Sequence, residues 1–183
     1  MIHLLDIDPG NWRIDLAVSE AQKPFVSDRA KLLARAYAYR ARRSRAFLIC
    51  ADDLPVGMGL YYDEPELQSY DLSQMFIDAR YQSRGYGKAA VRAILDELKA
   101  DGQYDKVTLC YIEGNETARK LYESFGFVEI DRDGDEIVMQ LPLKASLVLK
   151  GGGAAHNAVT EGLPCSISIT KNGCLLPKSC GRK

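Results

Sequence analysis

Gln82-Ser83-Arg84-Gly85-Tyr86-Gly87-Lys88 is the stretch on which the fold and the function of this chain turn. It joins a strand-like run, Tyr70 to Asp78, to the longest helical pattern, Gly85 to Ala100. In that pattern Val91, Ile94, Leu95 and Leu98 fall at i, i+3, i+4 and i+7. Glycines at 85 and 87 let the backbone approach a ligand with no Cβ in the way. The amides of the loop and of the first helical turn have no intrahelical partners and sit at the positive end of the helix dipole. Such a place suits a pyrophosphate, and Arg84 and Lys88 add charge-assisted contacts. On the loop alone, a Gly-rich helix start that holds no ligand stays open.

Two other phosphate motifs compete for the same residues. A P-loop needs four residues between its glycines and then Lys-Ser/Thr; here a single residue separates Gly85 from Gly87, and Ala89 follows Lys88, so the pattern fails. Gly85-x-Gly87-x-x-Ala90, with Asp105 downstream, meets a loose dinucleotide fingerprint. That fingerprint should follow its strand directly and open a series of βαβ units. Here Ala79 to Arg84 intervenes and only one more helix follows.

Working outward, Ile2 to Ile7 alternates weakly and opens the chain as a strand. Asn11-Trp12 starts a short helical stretch toward Ala17, and Pro24 interrupts. Ser27 or Asp28 caps a helix reaching about Tyr39. Ala46 to Ala51 and Val56 to Tyr62 form a hairpin around Asp52-Asp53, closed by Asp63-Glu64-Pro65. Lys106 to Ile112 is a strand, Asn115 to Phe125 a helix capped by Asn115 and stopped by Gly126, and Phe127 to Asp131 with Glu136 to Leu141 a second hairpin around Asp133-Gly134. The order predicts a mixed α/β sheet with helices on its faces. The expected domain spans 1–143. Residues 144–183, with Gly151-Gly152-Gly153, are read as an appendage, disordered or foreign to the natural domain, in which Ser166 to Thr170 and Asn172-Gly173 suggest a small hairpin.

A length of 183 residues suits one domain with a real core, and a net charge of -1 gives no general attraction to nucleic acid or anionic membrane. Arg40, Arg42, Arg43 and Arg45 are basic without interleaved aromatics and read as a solvated loop, not a nucleic-acid surface. No apolar run is long enough to span a bilayer, and the start of the chain carries no signal core, so a cytoplasmic location is expected. Of five cysteines, Cys50 and Cys110 sit in apolar runs; the odd count and the spacings give neither a disulfide framework nor a zinc site. His3 and His156 are isolated, so no metal is expected.

The loop and its surroundings resemble the GNAT family of N-acetyltransferases. The family's Gln/Arg-x-x-Gly-x-Gly/Ala motif is met by Gln82 to Gly87, and Asn115-x-x-Ala118-x-x-Leu121-Tyr122-x-x-x-Gly126-Phe127 resembles its later signature. Gln74-Met75-Phe76-Ile77-Asp78 resembles the family's splayed strand. The likeness covers about Ile2 to Leu143. A narrower likeness, to bacterial spermine/spermidine acetyltransferases, lies in Asn11-Trp12-Arg13, Glu20 to Val26 and Leu33 to Tyr37.

The resemblance implies a mostly antiparallel twisted sheet with a splayed central strand for acetyl-CoA, no metal, a small primary amine such as a polyamine as acceptor, and a homodimer. It implies that Met75, Phe76 and Ile77 contact the pantetheine arm and thioester, that an amide there stabilises an oxyanion, that Gln82, Ser83, Arg84, Gly85, Tyr86, Gly87 and Lys88 hold the pyrophosphate, and that Asn115 and Lys120 contact the CoA. Asn115 is equally a helix cap. Tyr122 is the candidate general acid, since the departing thiolate needs a proton; Ala118, Leu121, Tyr122 and Phe125 also make one apolar helical face, so Tyr122 as core stays open. An amine of pKa near 10.4 needs a base, because freeing its lone pair at pH 7 costs about 4–5 kcal/mol. Some polyamine acetyltransferases that the chain resembles use an acid on the splayed strand where this chain has Ser73. Asp71, two residues earlier on the same strand face, is the first candidate; water relayed to Glu20, Asp63 or Glu64 is the alternative. The acids at 63, 64 and 66 either attract a polycation or form a solvated loop. Acceptors other than polyamines (an aminoglycoside, an amino acid, a protein N-terminus) and an acyl-CoA-binding module without turnover also fit the loop motif.

Overall fold

Seven strands form one sheet: β1 (Ile2–Asp6), β2 (Arg45–Ala51), β3 (Leu54–Glu64), β4 (Ser69–Ile77), β5 (Lys106–Ile112), β6 (Val128–Asp133) and β7 (Glu136–Pro142), in the order β1-β2-β3-β4-β5-β7-β6. Every neighbouring pair is antiparallel except β4 and β5. The computed structural model describes residues 1–143 and, further on, the backbone of two short strands. The chain divides into two compact units, Met1–Lys144 and Ala145–Lys183. In the second, β8 (Ile167–Thr170) and β9 (Cys174–Pro177) pair antiparallel. Asn172-Gly173, Ser166 and the rest of the expected appendage from 144 on lie outside the described residues.

Helix α1 (Arg29–Ala38) covers one face of the sheet; α2 (Tyr86–Asp101) and α3 (Glu116–Glu123) cover the other. The helices begin and end where the sequence supplies caps. Asp28 accepts the Lys31 amide at 2.9 Å, Asn115 accepts the Ala118 amide at 3.1 Å, and Gly102, at φ +68°, donates its amide to Leu98 O at 3.1 Å. The larger core cluster packs Val91, Ile94, Leu95 and Leu98 of α2 and Tyr122 of α3 on Tyr70, Leu72, Val107 and Leu109. The smaller one packs Leu32 of α1 and Leu16 on Leu48, Met58, Leu60, Tyr62 and Phe76.

Three local expectations are corrected. Residues 11–13 form a turn and 14–17 have no regular structure: Asp8 accepts the amides of Gly10 and Asn11 as a helix cap would, but Ala17 gives its amide to Asp78 Oδ2 instead of to a preceding turn. Asp63 and Glu64 do not close a hairpin as a solvated loop; β3 runs on through Glu64, and both acids are buried. The basic run at 40–45 is not a free patch. It makes a 3-10 turn, Arg40–Arg42, and Arg42, Arg43 and Arg45 pair with Glu64, with Asp63 and Asp101, and with Asp6 and Glu97.

Candidate functional site

The site grows from the way β4 leaves its neighbour. Ser69 and Thr108 join their hydroxyls at 2.8 Å, and β4 and β5 pair only at Tyr70–Val107 and Asp71–Thr108. Beyond that point the two strands part. A bulge begins there: the register with β3 shifts between Leu60 and Tyr62, so that Leu72 and Ser73 together oppose Tyr61. The bulge bends β4 and exchanges which residues face α1. Before it Asp71 faces that side; after it Gln74 and Phe76 do, and Gln74 Nε2 donates to Ser27 O at 2.7 Å.

The backbone of the parted strand is aimed. Asp78 donates its amide to Val56 O opposite it at 2.8 Å, so by the alternation of an antiparallel ladder Phe76 also bonds to β3, whereas Met75 and Ile77 turn their amides away from it. Those amides point to the side from which β5 has departed. Gly57 and Gly59 pair with Ile77 and Met75; a Cβ at Gly57 would lie 2.3 Å from Phe76 O, so this close approach of β3 to β4 depends on glycine.

At the other end of β4 stands the 82–88 loop. Gly85, at φ +80°, begins α2 with no side-chain cap, in contrast to α1 and α3. The first amides of α2 are thus left for an external acceptor. Arg84, Lys88 and Lys120 are exposed and make no ion pair among the described residues, and Ser83 is exposed beside them. A Cβ on Gly87 would meet only Ile77 and Leu121, both at 3.8 Å, so this glycine keeps a surface open. Uncapped amides, exposed cations without a carboxylate partner among the described residues, and bare backbone fit a diphosphate. Gln82 is committed to the scaffold, its Nε2 donating to Ile77 O and to Gln22 Oε1, each at 2.8 Å. Asn115 caps α3 with its oxygen.

Charged side chains gather where the strands part, on the α1 face. Asp71 is buried beside Tyr62, its partner across β3. Burial, and then the charge of Glu64, raise its carboxyl to about 7; a hydrogen bond from Tyr62 and the charges of Arg35 and Arg42 act in the opposite direction. Glu64 is 1% exposed, is paired with Arg42, and keeps Oε1 without a hydrogen bond; burial raises its pKa also. Arg35 of α1 is half-buried and donates to Ser73 Oγ at 3.0 Å, its one hydrogen bond among the described residues. Asp63 is not part of this group. It lies on the other face of β3, held at 2.7 Å by Arg43, which also bonds Asp101. Glu20 is exposed on a 3-10 turn and paired with Lys23.

Tyr122 approaches from α3. It packs edge-on to Phe127, with ring centroids 5.7 Å apart, so the apolar reading of its helical face holds for its ring. Its hydroxyl makes no hydrogen bond among the described residues, and burial, then Cys110, raise its pKa to about 12. Cys110 is itself raised to about 12 by burial, then by Asp71 and Glu136. Tyr122 packs with α2 on one face of the sheet, Asp71 lies on the α1 face, and Cys110 of β5 raises the one and is raised by the other. Sequence reasoning missed Arg35, Tyr62, Glu136 and Cys110 as members of this group. The signal for Tyr62, Glu136 and Cys110 is strand register, and that for Arg35 is the packing of α1 on β4; one sequence reveals neither.

Residues 12–127 match the model of the acetyltransferase (GNAT) family, and the chain belongs to that family. Among curated proteins it is 32% identical over 94 residues to the spermine/spermidine N(1)-acetyltransferase of Bacillus subtilis (strain 168). That match covers 46% of this chain and spans 62% of the length of the relative. Among solved structures it resembles the spermidine N-acetyltransferase of Vibrio cholerae in complex with CoA and spermine, with a TM-score of 0.64 at 18% identity over 78% of this chain and 95% of that one. It equally resembles the aminoglycoside acetyltransferase AAC(6')-Ib in complex with coenzyme A, with a TM-score of 0.65 at 15% identity over 78% and 95% of the two chains. At these identities the two structures bear on the fold, which is the mixed α/β sheet expected from the motifs. Among the described residues no cluster of His, Cys, Asp or Glu can hold a metal ion, and no helix is long and apolar enough to cross a membrane.

Proposed function

We propose that this chain is an acetyl-CoA-dependent N-acetyltransferase acting on a primary amine, with a polyamine such as spermidine or spermine as the acceptor class. The observation that carries the reading is the gap itself: β4 and β5 pair over two residues and part, with a phosphate-fitting loop at one end and Asp71 and Tyr122 on the two faces of the sheet. Residues 82–88 bind the diphosphate, with Arg84, Lys88 and Lys120 supplying charge. The amides of Met75 and Ile77 hold the acyl arm, and one of them stabilises the oxyanion.

Asp71 takes the proton of the incoming ammonium, and a carboxyl at about 7 is matched to that task near neutral pH. The freed nitrogen forms the bond to the acetyl carbon, the carbon–sulfur bond breaks, Tyr122 gives its proton to the sulfur, and the proton that the nitrogen sheds on becoming an amide restores the Tyr122 hydroxyl. Burial keeps Tyr122 protonated at neutral pH and so ready to donate. Glu64, with its unbonded oxygen, favours an acceptor that carries a second positive charge. The 32% identity to a spermine/spermidine acetyltransferase supports the same acceptor class.

A second reading keeps the chemistry and changes the acceptor. Arg35 is a half-buried cation on the same face, bonded to Ser73 and facing the charge of Asp71, and it favours an amine that also bears a carboxylate, such as an amino acid. Thiol release from acetyl-CoA, measured with spermine, spermidine, amino acids and an aminoglycoside, separates the two. Saturable release with polyamines is expected. Release only with carboxylate-bearing amines moves the acceptor to the second reading, and no release with any amine despite CoA binding leaves an acyl-CoA-binding module.

A further inference from the structure

The segment at 15–22 precedes α1 and packs on the α1 face, where Leu16 is buried with Phe76 and Tyr62. It belongs to no strand, yet it is stitched to the junction between β4 and α2. Ala79 donates its amide to Ala17 O and Ala17 donates its own to Asp78 Oδ2, both at 2.9 Å. Asp78 is buried and also accepts the Arg80 amide at 2.9 Å and its Nε at 2.8 Å, while Arg80 Nη2 reaches Asp15 O at 2.7 Å. Further along, Gln22 Oε1 accepts from Gln82 Nε2 at 2.8 Å, from Ser19 Oγ at 3.0 Å and from the Ser19 amide at 3.3 Å.

One side-chain amide, that of Gln82, thus bonds both the end of β4, through Ile77 O, and the 3-10 turn of the 15–22 segment. Three residues on, Gly85 opens the uncapped helix. Gln82 is the first residue of the 82–88 loop, and both of its bonds are made by the same nitrogen. Gln22 is committed in the same way: its oxygen is the shared acceptor on which the turn at 19–22 closes.

Resting on the CoA reading, we propose that Gln22 is a positioning residue that couples the two substrate sites: through Gln82 it transmits occupancy of the phosphate loop to the 15–22 segment, which borders the acceptor face. Asp78 anchors the same segment to the junction, so the coupling runs through a short, stiff bridge. The consequence is reciprocal: a CoA-loaded loop orders the acceptor side, and an ordered acceptor side tightens the loop.

Hydrogen–deuterium exchange on the full chain, with and without CoA, tests this. In the wild type, CoA is expected to slow exchange about fivefold or more both at 83–88 and at 15–22. Gln22→Met keeps the length and removes the acceptor oxygen; protection at 83–88 should stay and protection at 15–22 should vanish. Gln22→Glu keeps the acceptor and should restore it, which a role in packing alone would not predict. Protection at 83–88 without any at 15–22 in the wild type, or equal protection at 15–22 in Gln22→Met, overturns the coupling and leaves the CoA reading standing. No protection at 83–88 in the wild type overturns the CoA reading, and the coupling with it.

Discussion

The 82–88 loop and the face around Asp71 occupy the two ends of β4, and they work by opposite means. At the loop the charge is carried by backbone amides and by exposed cations, and the helix is left uncapped. Around Asp71 the charge is carried by buried and half-buried side chains that act on one another, with Glu64 Oε1 left unbonded. A site made of backbone is ready for its ligand at any pH and depends on the absence of side chains. A site made of buried carboxylates is strained by its own burial and depends on protons. Mutations at the two ends should therefore fail in different ways.

The largest effect is expected at the backbone end. Gly87→Trp fills the surface that a glycine keeps bare, and the affinity for acetyl-CoA should fall at least about 1,000-fold, roughly 4 kcal/mol. The backbone at Gly87 is unstrained and a Cβ has room there, so the melting temperature should stay close to that of the wild type. Calorimetric titration together with thermal unfolding checks both halves. On α3, Tyr122→Phe should lower kcat about 100-fold, roughly 2.7 kcal/mol in the barrier, with acetyl-CoA affinity unchanged. Turnover near wild type would return Tyr122 to the core that its ring already occupies.

Asp71→Asn sharpens the contrast, because it should gain stability while losing activity. The Asp71 carboxyl binds its proton more tightly in the folded chain than in the unfolded one, from the ordinary value of 3.8 up to about 7. The folded state therefore holds more protons between those values, and stability falls as pH rises through them. The loss is absent below the ordinary carboxylate range and complete above about 7. At pH 8 the asparagine variant should be more stable by about 2–4 kcal/mol, and near pH 4 by little. Denaturant unfolding at the two pH values measures the difference. The smallest effect is expected from Arg35→Ala. Arg35 holds the Asp71 pKa down, so its removal should move the acidic limb of kcat/KM upward by less than about one pH unit. A limb that stays in place would remove Arg35 from the electrostatics of the site.

The same contrast explains what is legible in the sequence. The loop is readable because Gly85 and Gly87 at the head of a strongly periodic helix state a backbone requirement directly. The strands at 106–112 and 136–142 are readable from apolar alternation. The segment at 11–17 is not, because Asp8 supplies a helix-like cap while Ala17 gives its amide to Asp78, far along the chain. Asp71 follows from alternation along one strand. What alternation does not contain is the bulge at Leu72-Ser73, which decides that Asp71 shares a face with Tyr62 and Glu64. Asp63 and Glu64 face opposite sides by alternation alone, once β3 runs on through Glu64, and Asp63 meets Arg43 there. Arg35 needs the packing of α1 on β4, a tertiary contact with no local signature.

The pH dependence of kcat/KM for acetyl transfer to spermidine, compared between the wild type and Asp71→Asn, tests the central claim most directly. The wild type should lose activity below about pH 7 as Asp71 takes up its proton. Asp71→Asn should be slower by about 100-fold or more and should lack that limb. A variant that keeps wild-type turnover, or that shows the same limb at the same pH, would contradict the assignment of Asp71 as the base at the gap.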